Sequence, residues 1–236
     1  MSELNLATEW DIYLLAGVGS SRSIFAACKR ELQQRFQEEG RDPVIRELFP
    51  YGDHSVRLIR QVMEVGADLA GLRGLLRSGG RDAAEQVRTL SAGRPVLFIG
   101  HSGGSVAAYQ AAVKLSEEGV IPDFRVVQVG SPKVPIRPEH RRKVSYFVAV
   151  DDQGHRVDPI TRLGRWGGWA RNRLGVRYWD KMKYAPGLIG SITVLGGHEH
   201  YFRNDDRYIH PERGSNLSLT LDSIWERVAD YAEQVT

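Results

Sequence analysis

Short apolar runs alternate with longer amphipathic segments along most of the chain. The runs predict strands at residues 12–16, 44–49, 95–99, 124–129, 144–150 and 192–195. The amphipathic segments predict helices at residues 23–39, 55–76, 105–118 and 215–235. Ser78-Gly79-Gly80 is expected to end the second helix, before a short helix at residues 83–90. This order predicts an α/β fold, in which helices flank a mostly parallel central sheet on both faces.

One segment departs from the alternation and carries unusual chemistry. Residues 162–183 hold seven Lys or Arg side chains against one acidic residue, with tryptophans among them. The chain has 236 residues, of which 42% are hydrophobic, and this is enough to bury a sizeable core in one domain. We therefore expect a single domain over residues 1–236, with a lid-like insertion at about residues 162–189.

Charge and cysteine content exclude several classes of protein. The formal net charge is +3, and no long basic block accompanies it, so we expect no nucleic-acid partner. The single cysteine, Cys28, excludes an internal disulfide framework. No apolar stretch approaches the length of a transmembrane span, and the first residues lack the pattern of a signal peptide. The expected location is therefore the cytoplasm, while the sequence leaves the oligomeric state open.

The segment Gly100-His101-Ser102-Gly103-Gly104 fits the pattern G-x-S-x-G. It begins where an apolar strand is predicted to end and closes where a helix is predicted to start, which is the setting of a nucleophile elbow. Such a turn projects the Ser102 hydroxyl over the amino end of the helix, where the Gly103 amide can stabilise an oxyanion. By side-chain alternation, His101 is expected to point away from the site and pack against the sheet.

At these residues the chain resembles the α/β-hydrolase superfamily, and within it the lipase-like serine esterases that include the class 3 (fungal-type) lipases. Further similarities lie at Val129-Gly-Ser-Pro132, at Asp158-Pro-Ile-Thr-Arg-Leu163 and at Gly197-His-Glu-His-Tyr-Phe202. In the segment at residues 158–163, Thr161 replaces a proline of the family motif. In the elbow, Gly103 stands where many members carry a larger residue. The resemblance implies a Ser, Asp, His triad in that chain order. It implies no metal, nucleotide or organic cofactor.

Two positions of this triad have competitors. Asp158 has the better local match for the acid, but Asp151 and Asp152 follow the fifth strand directly and remain alternatives. His198 follows Gly196-Gly197 at a strand end and is the preferred base, with His200 as its alternative. The acid must accept a hydrogen bond from the imidazole and fix its tautomer, while the histidine alternates between base and acid.

Two further parts of the site are expected on the flanks of Ser102. In the hydrolases that this chain resembles, the loop after the first strand supplies a second oxyanion amide, and Val18 holds that position here. The insertion after the acid loop could cover the pocket, with Trp166 and Trp169 binding apolar acyl chains and its cations meeting anionic groups. The alternative is that this segment has only a structural role, in which it packs on the domain and exposes its basic side chains to solvent.

The expected function is hydrolysis of carboxylic esters, of lipase or esterase type, through an acyl-enzyme at Ser102. The substrate is a small-molecule or lipid-like ester. Thioesterases, amidases and acyltransferases use the same residues, so the leaving group remains open. A non-catalytic binding protein on the same fold is the alternative from another class, because a fold does not determine function.

Overall fold

The computed structural model describes residues 10–18, 20, 23–51 and 69–229, with side chains for all of these except 69–77. The strands in these ranges are β1 (Asp11–Leu15), β2 (Ile45–Leu48), β3 (Val96–His101), β4 (Phe124–Val129), β5 (Val144–Val150), β6 (Gly168–Arg171), β7 (Arg177–Asp180), β8 (Leu188–Thr193), β9 (Ile209–His210) and β10 (Gly214–Ser215). The α-helices are α1 (Ala26–Glu38), α2 (Leu69–Leu90), α3 (Gly103–Glu117) and α4 (Asn216–Ala229). The predicted helical residues 55–68 and 230–235 lie outside the described residues.

Six strands form the central sheet in the order β2-β1-β3-β4-β5-β8, and every neighbouring pair is parallel. This confirms the predicted parallel sheet. The last strand covers Leu188–Thr193, whereas the sequence placed it at residues 192–195. Since β8 is an edge strand, its side chains alternate between exposed and covered and give no continuous apolar run. A side chain at Gly190 would meet the ring of Phe147 at 2.7 Å, which explains the glycine inside the strand.

Helices cover both faces of this sheet, as predicted. One face carries Leu14, Ile99 and Val129 and is packed by apolar side chains of α1 and α4. The opposite face carries Phe98 and Val126 and is packed by apolar side chains of α2 and α3. Alternate residues of each strand therefore enter different cores, which explains why the central strands are apolar at nearly every position.

The expected helix break at residues 78–80 is wrong, because α2 runs without interruption from Leu69 to Leu90. Both glycines allow a close approach to neighbouring elements. A Cβ at Gly79 would lie 2.3 Å from the ring of Tyr51, and a Cβ at Gly80 would lie 2.3 Å from the amide oxygen of Gln110 on α3. The two glycines thus permit tight packing of α2, although glycine lowers intrinsic helix propensity.

The insertion forms a two-stranded antiparallel ribbon of β6 and β7, which pair with each other and with no other strand of the described chain. At the base of the ribbon, Trp166 packs on the part of the sheet face that α2 and α3 leave uncovered. It forms a small core with Tyr146, Val148, Val150 and Ala185. A tryptophan therefore covers β5 on this face of the sheet.

Candidate active site

Ser102 lies in the sharp turn between β3 and α3. Its backbone has φ 57° and ψ −130°, and it is the only non-glycine residue of the described chain with a positive φ. A Cβ at Gly100 would lie 2.4 Å from the Cα of Ser105, and a Cβ at Gly104 would lie 2.2 Å from the carbonyl oxygen of Leu15. The turn therefore requires both glycines and holds Ser102 in a strained conformation.

A chain of hydrogen bonds connects Ser102 with His198 and Asp158. The Nε2 atom of His198 lies 2.8 Å from the Oγ atom of Ser102, and its Nδ1 atom lies 2.9 Å from Oδ2 of Asp158. A carboxylate only accepts hydrogen bonds, so Nδ1 carries the proton. In the neutral ring, Nε2 then accepts the hydrogen bond of the Ser102 hydroxyl, which is the arrangement that a general base requires.

Asp158 is fully buried, and three donors hold its carboxylate. The amide of Ile160 donates to Oδ1 at 2.9 Å, while the Tyr201 hydroxyl and His198 donate to Oδ2, the hydroxyl at 2.8 Å. The Tyr201 oxygen in turn accepts the amide hydrogen of Ala149 at 2.7 Å. Burial and the charge of Asp158 raise the pKa of Tyr201, so its hydroxyl remains a donor. Tyr201 thus connects the acid loop to β5.

The two alternative acids lie at other positions. Asp151 is partly exposed and accepts the backbone amides of Gln153 and His155 at 3.0 and 2.8 Å, which makes it a turn residue. These hydrogen bonds lower the pKa of Asp151. Asp152 pairs with Arg213 on the surface. Asp158 therefore contacts His198 in the structure, whereas Asp151 and Asp152 have other partners.

The alternative base has a different set of contacts. The Nδ1 atom of His200 accepts the backbone amide of Gly197 at 3.0 Å, and its ring stacks on Tyr208 with centroids 4.4 Å apart. Gly196, with φ +94°, leaves room for this ring, because a Cβ there would lie 2.4 Å from Nδ1 of His200. His200 thus stabilises the loop that presents His198 to Ser102.

The expected orientation of His101 away from the site is wrong. Its ring stacks on the ring of His198 with centroids 4.9 Å apart, and its Nε2 atom donates to the carbonyl oxygen of His198 at 2.9 Å. Because β3 extends through His101, the side chain points to the face of the sheet that α1 and α4 cover. The loop of residues 196–202 returns over this face and places His198 there. Burial, and next the proximity of His198, lower the pKa of His101 to about 3.

Gly103 and the loop that contains Val18, which the sequence predicts to supply the oxyanion amides, both adjoin Ser102. Gly103 is the first residue of α3, and amides in the first turn of a helix have no partner within the helix. The loop after β1 also reaches the serine, since a Cβ at Gly17 would lie 2.6 Å from the Cβ of Ser102. Val18 follows Gly17 in this loop and is partly buried. Gly17 is the residue that allows this close approach.

The tryptophans of the insertion have different environments. Trp166 is 6% exposed and packs edge-on against Tyr146, with ring centroids 4.9 Å apart. Trp169 is 57% exposed and packs edge-on against Trp179 on the opposite strand of the ribbon, with centroids 5.6 Å apart. Trp166 is thus part of a core, while Trp169 presents most of its surface to solvent.

The described residues contain neither a cluster of metal ligands nor a membrane-spanning helix. Within the described ranges, no three His, Cys, Asp or Glu side chains converge as the ligands of a metal ion would. No helix in the same ranges has the length and apolar character needed to cross a bilayer.

The solved structures that are similar to this chain include two thioesterases. The NocB thioesterase domain from the nocardicin cluster is 17% identical, with 94% of each chain covered and a TM-score of 0.51. YbtT, a type II thioesterase from the yersiniabactin biosynthetic pathway, is 12% identical over 98% of this chain and 97% of its own, with a TM-score of 0.47. No protein-family model and no curated protein matches the sequence. The sheet topology and the likeness to the NocB domain confirm the predicted α/β-hydrolase fold.

Proposed function

We propose that this chain is a serine hydrolase that cleaves carboxylic esters, with Ser102 as nucleophile, His198 as general base and acid, and Asp158 as the triad acid. The observation that carries the proposal is the unbroken hydrogen-bond chain from the Ser102 hydroxyl through His198 to the buried Asp158 carboxylate. The strained backbone at Ser102 is a second support, because such strain is typical of functional residues.

In the proposed reaction, Ser102 attacks the ester carbonyl while His198 takes the hydroxyl proton through Nε2. The carbonyl oxygen becomes an oxyanion, which the amides of Gly103 and Val18 stabilise. His198 then donates its proton to the leaving alcohol, and an acyl-enzyme remains at Ser102. Water, deprotonated by His198, attacks the acyl group, and His198 returns the proton to the Oγ atom of Ser102 as the acid is released.

Asp158 holds His198 in the tautomer that this sequence of steps requires. Its bonds to Ile160 and Tyr201 fix the carboxylate so that one oxygen faces the imidazole. We also assign Trp166 and Trp169 to substrate binding, as apolar surfaces that favour longer acyl chains. The exposed ring of Trp169 is the part of this surface that a substrate can reach without rearrangement of the core.

Thioesters are the second substrate class, because the NocB domain, which shares the fold, is a thioesterase. The triad chemistry is the same for both classes, and only the leaving group differs. A panel of matched acyl esters and thioesters separates the two. A higher kcat/KM for the thioester at equal acyl length would replace the ester assignment, and the roles of Ser102, His198 and Asp158 would stand.

A fluorophosphonate probe tests the proposal directly, because it reacts with a serine that a neighbouring base activates. We expect labelling of the intact protein, with the mass increase on the peptide that contains Ser102. Ser102→Ala is expected to stay unlabelled, while Ser116→Ala, a change on α3 away from the elbow, is expected to label as the parent does. An unlabelled parent protein would favour a non-catalytic binding protein on the same fold.

A further inference from the structure

An open groove of about 630 Å³ lies between the ribbon and the acid loop. Four cationic side chains and two tryptophans line it, and we call it the cationic groove. They are Lys133, Arg156, Arg165, Lys181, Trp166 and Trp179. None of the residues that line this groove is an aspartate or glutamate. The charge of the groove is therefore strongly positive, although the whole chain has a net charge of only +3.

Among the residues that the structure describes, the four cations of the groove have no carboxylate partner. In the described part of the chain, no Asp or Glu forms an ion pair with any of them. Basic side chains elsewhere commonly have such partners: Arg35 pairs with Glu31 at 2.7 Å and Arg125 with Asp123 at 2.7 Å. An uncompensated cluster of this kind is an attractive site for an anion, because the like charges repel one another until an anion neutralises them.

Aromatic rings lie beside two of the four cations. The ammonium of Lys133 lies 5.6 Å from the centroid of Trp166, and the guanidinium of Arg165 lies 5.6 Å from the centroid of Trp179. A ring face stabilises a nearby cation but adds no negative charge, so the N–H donors remain available to a ligand. Desolvation and the charge of Arg156 lower the pKa of Lys133, which a bound anion would reverse.

The groove is also amphiphilic. Trp179 is 41% exposed, and Met182, which also lines the groove, is 45% exposed. Their apolar surfaces adjoin the cations, so a ligand that carries an anionic group on an apolar body can use both. Phosphate suits the cations best, since a dianion with three terminal oxygens can accept from a forked guanidinium and from an ammonium at the same time.

We propose that the cationic groove is a binding site for the phosphate group of an amphiphilic organic phosphate. The phosphate lies between Lys133 and Arg165, with Arg156 and Lys181 completing the neutralisation, and the apolar body lies along Trp179 and Met182. The site does not use Ser102, and it stands or falls independently of the hydrolase proposal. It borders the acid loop, because the amide of Lys133 donates to the carbonyl oxygen of Leu163 at 2.8 Å.

Calorimetric titration of the full chain with hexyl phosphate tests the site, with hexanol and hexanoate as matched ligands. We expect hexyl phosphate to bind most tightly, and its affinity to fall as sodium chloride is added. The double variant Lys133→Gln/Arg165→Gln should weaken binding by about tenfold or more. The control Arg171→Gln/Arg173→Gln removes the same charge from the ribbon outside the groove, and it should change the affinity by less than about twofold.

Two results would overturn the proposal. One is equal weakening by both double variants, which would mean attraction to the general basic charge of the ribbon. The other is an affinity for hexyl phosphate no greater than that for hexanol. Ser102→Ala is expected to bind hexyl phosphate as the parent does, so the result is independent of whether the chain proves to be a hydrolase. Circular dichroism establishes that each variant is folded.

Vesicles distinguish the two sources of such a phosphate. Phosphatidylcholine vesicles with added phosphatidic acid are sedimented with the parent protein and with both double variants. Sedimentation that the groove variant loses and the control retains supports the site with a lipid headgroup as ligand. Binding of hexyl phosphate without sedimentation supports the site with a soluble organic phosphate as ligand. If the parent binds neither probe, the proposal is wrong.

Discussion

The imidazole of His101 lies against the imidazole of His198, with ring centroids 4.9 Å apart and ring planes inclined by 26°. The same residue donates from Nε2 to the carbonyl oxygen of His198 at 2.9 Å. His101 therefore contacts both the ring and the backbone of the proposed base. Since burial keeps His101 neutral, it places no second positive charge beside His198 when that residue takes a proton.

Two substitutions separate these contacts of His101. His101→Phe keeps an aromatic ring beside His198 but loses the N–H donor, whereas His101→Gln keeps an N–H donor but loses the ring. If the donor positions His198, the phenylalanine variant should lower kcat by about ten- to a hundredfold, since small displacements of a catalytic group have effects of this size. The glutamine variant should retain more activity. The pH profile of kcat/KM is the second measurement, and equal activity and profiles in both variants and the parent would contradict a positioning role.

The pH dependence of stability follows from the same residue. The pKa of His101 falls from 6.5 to about 3 on folding, so between these values the unfolded chain binds a proton that the folded chain does not. The stability that the neutral His101 contributes is fully present above about pH 6.5. Below that pH the free energy of unfolding decreases by up to about 1.4 kcal/mol for each pH unit. Urea unfolding at about pH 7.5 and about pH 5 measures the slope, which should be smaller in His101→Gln. Parallel slopes in the two proteins would contradict the shift.

We predict that Ser102 is required for activity and that its strained backbone lowers the free energy of unfolding. Ser102→Ala should lower kcat on a p-nitrophenyl ester by about 10⁶, and retention of a tenth of the parent activity would exclude it as the nucleophile. Because the strain at φ 57° depends on the presence of a Cβ, alanine keeps it and glycine relieves it. We expect Ser102→Gly to be more stable than Ser102→Ala by about 1–2 kcal/mol, measured by thermal or urea unfolding.

The acid assignment predicts opposite results for two aspartates of one loop region. Asp158→Asn should lower kcat by about 10⁴, because the imidazole loses the acceptor that fixes its tautomer. Asp152→Asn removes only a surface pair with Arg213 and serves as the matched control, with little change in rate. Steady-state kinetics on one ester is sufficient. Small effects of both substitutions would move the role to Asp151 or exclude a triad.

The acyl-chain proposal is tested best at Trp169. Its ring is largely exposed, so Trp169→Ala should leave the fold intact, whereas Trp166→Ala would empty a packed core position and cost about 3–5 kcal/mol. Trp169→Ala should lower the ratio of octanoyl to acetyl kcat/KM, by about fourfold for each CH₂ that the ring covers. Leu174→Ala, an exposed change at the turn of the ribbon, is the control. An unchanged ratio would remove Trp169 from the binding surface.

The sequence was sufficient where local chemistry decides the structure. An apolar strand that leads into Gly100-His-Ser-Gly-Gly104 predicts the elbow around Ser102, and the structure shows why glycine is needed there: a side chain at Gly100 or Gly104 would collide with backbone. The order of strands and helices similarly predicted a parallel sheet covered on both faces. The resemblance to class 3 lipases and the cytoplasmic location stay predictions.

The sequence was insufficient where contacts between distant segments decide. Gly79 and Gly80 are helix breakers by propensity, yet they lie inside α2 because Tyr51 and Gln110 occupy the space of their side chains. His101 contacts a residue almost a hundred positions later, and alternation along one strand carries no signal of that loop. Tyr201 belongs to the segment at residues 197–202 that resembles a family motif. Its hydrogen bond to Asp158, however, depends on how the loop of residues 196–202 folds back over the sheet.

The ribbon of β6 and β7 is anchored to the rest of the chain by main-chain bonds at its two ends. Gly164 bridges to Lys133 at one end, and the amide of Gly187 donates to the carbonyl oxygen of Arg141 at 2.6 Å at the other. In the described chain the strands β6 and β7 pair only with each other, whereas the segments beside them contact the rest of the chain: the Tyr184 carbonyl accepts the amide of Ile136 at 2.9 Å, and Trp166 packs on β5. The length and composition of residues 168–180 can therefore change without displacing β5 or β8. Evolution or a protein engineer could exchange this module to alter which molecules the chain recognises, while the reacting groups keep their geometry.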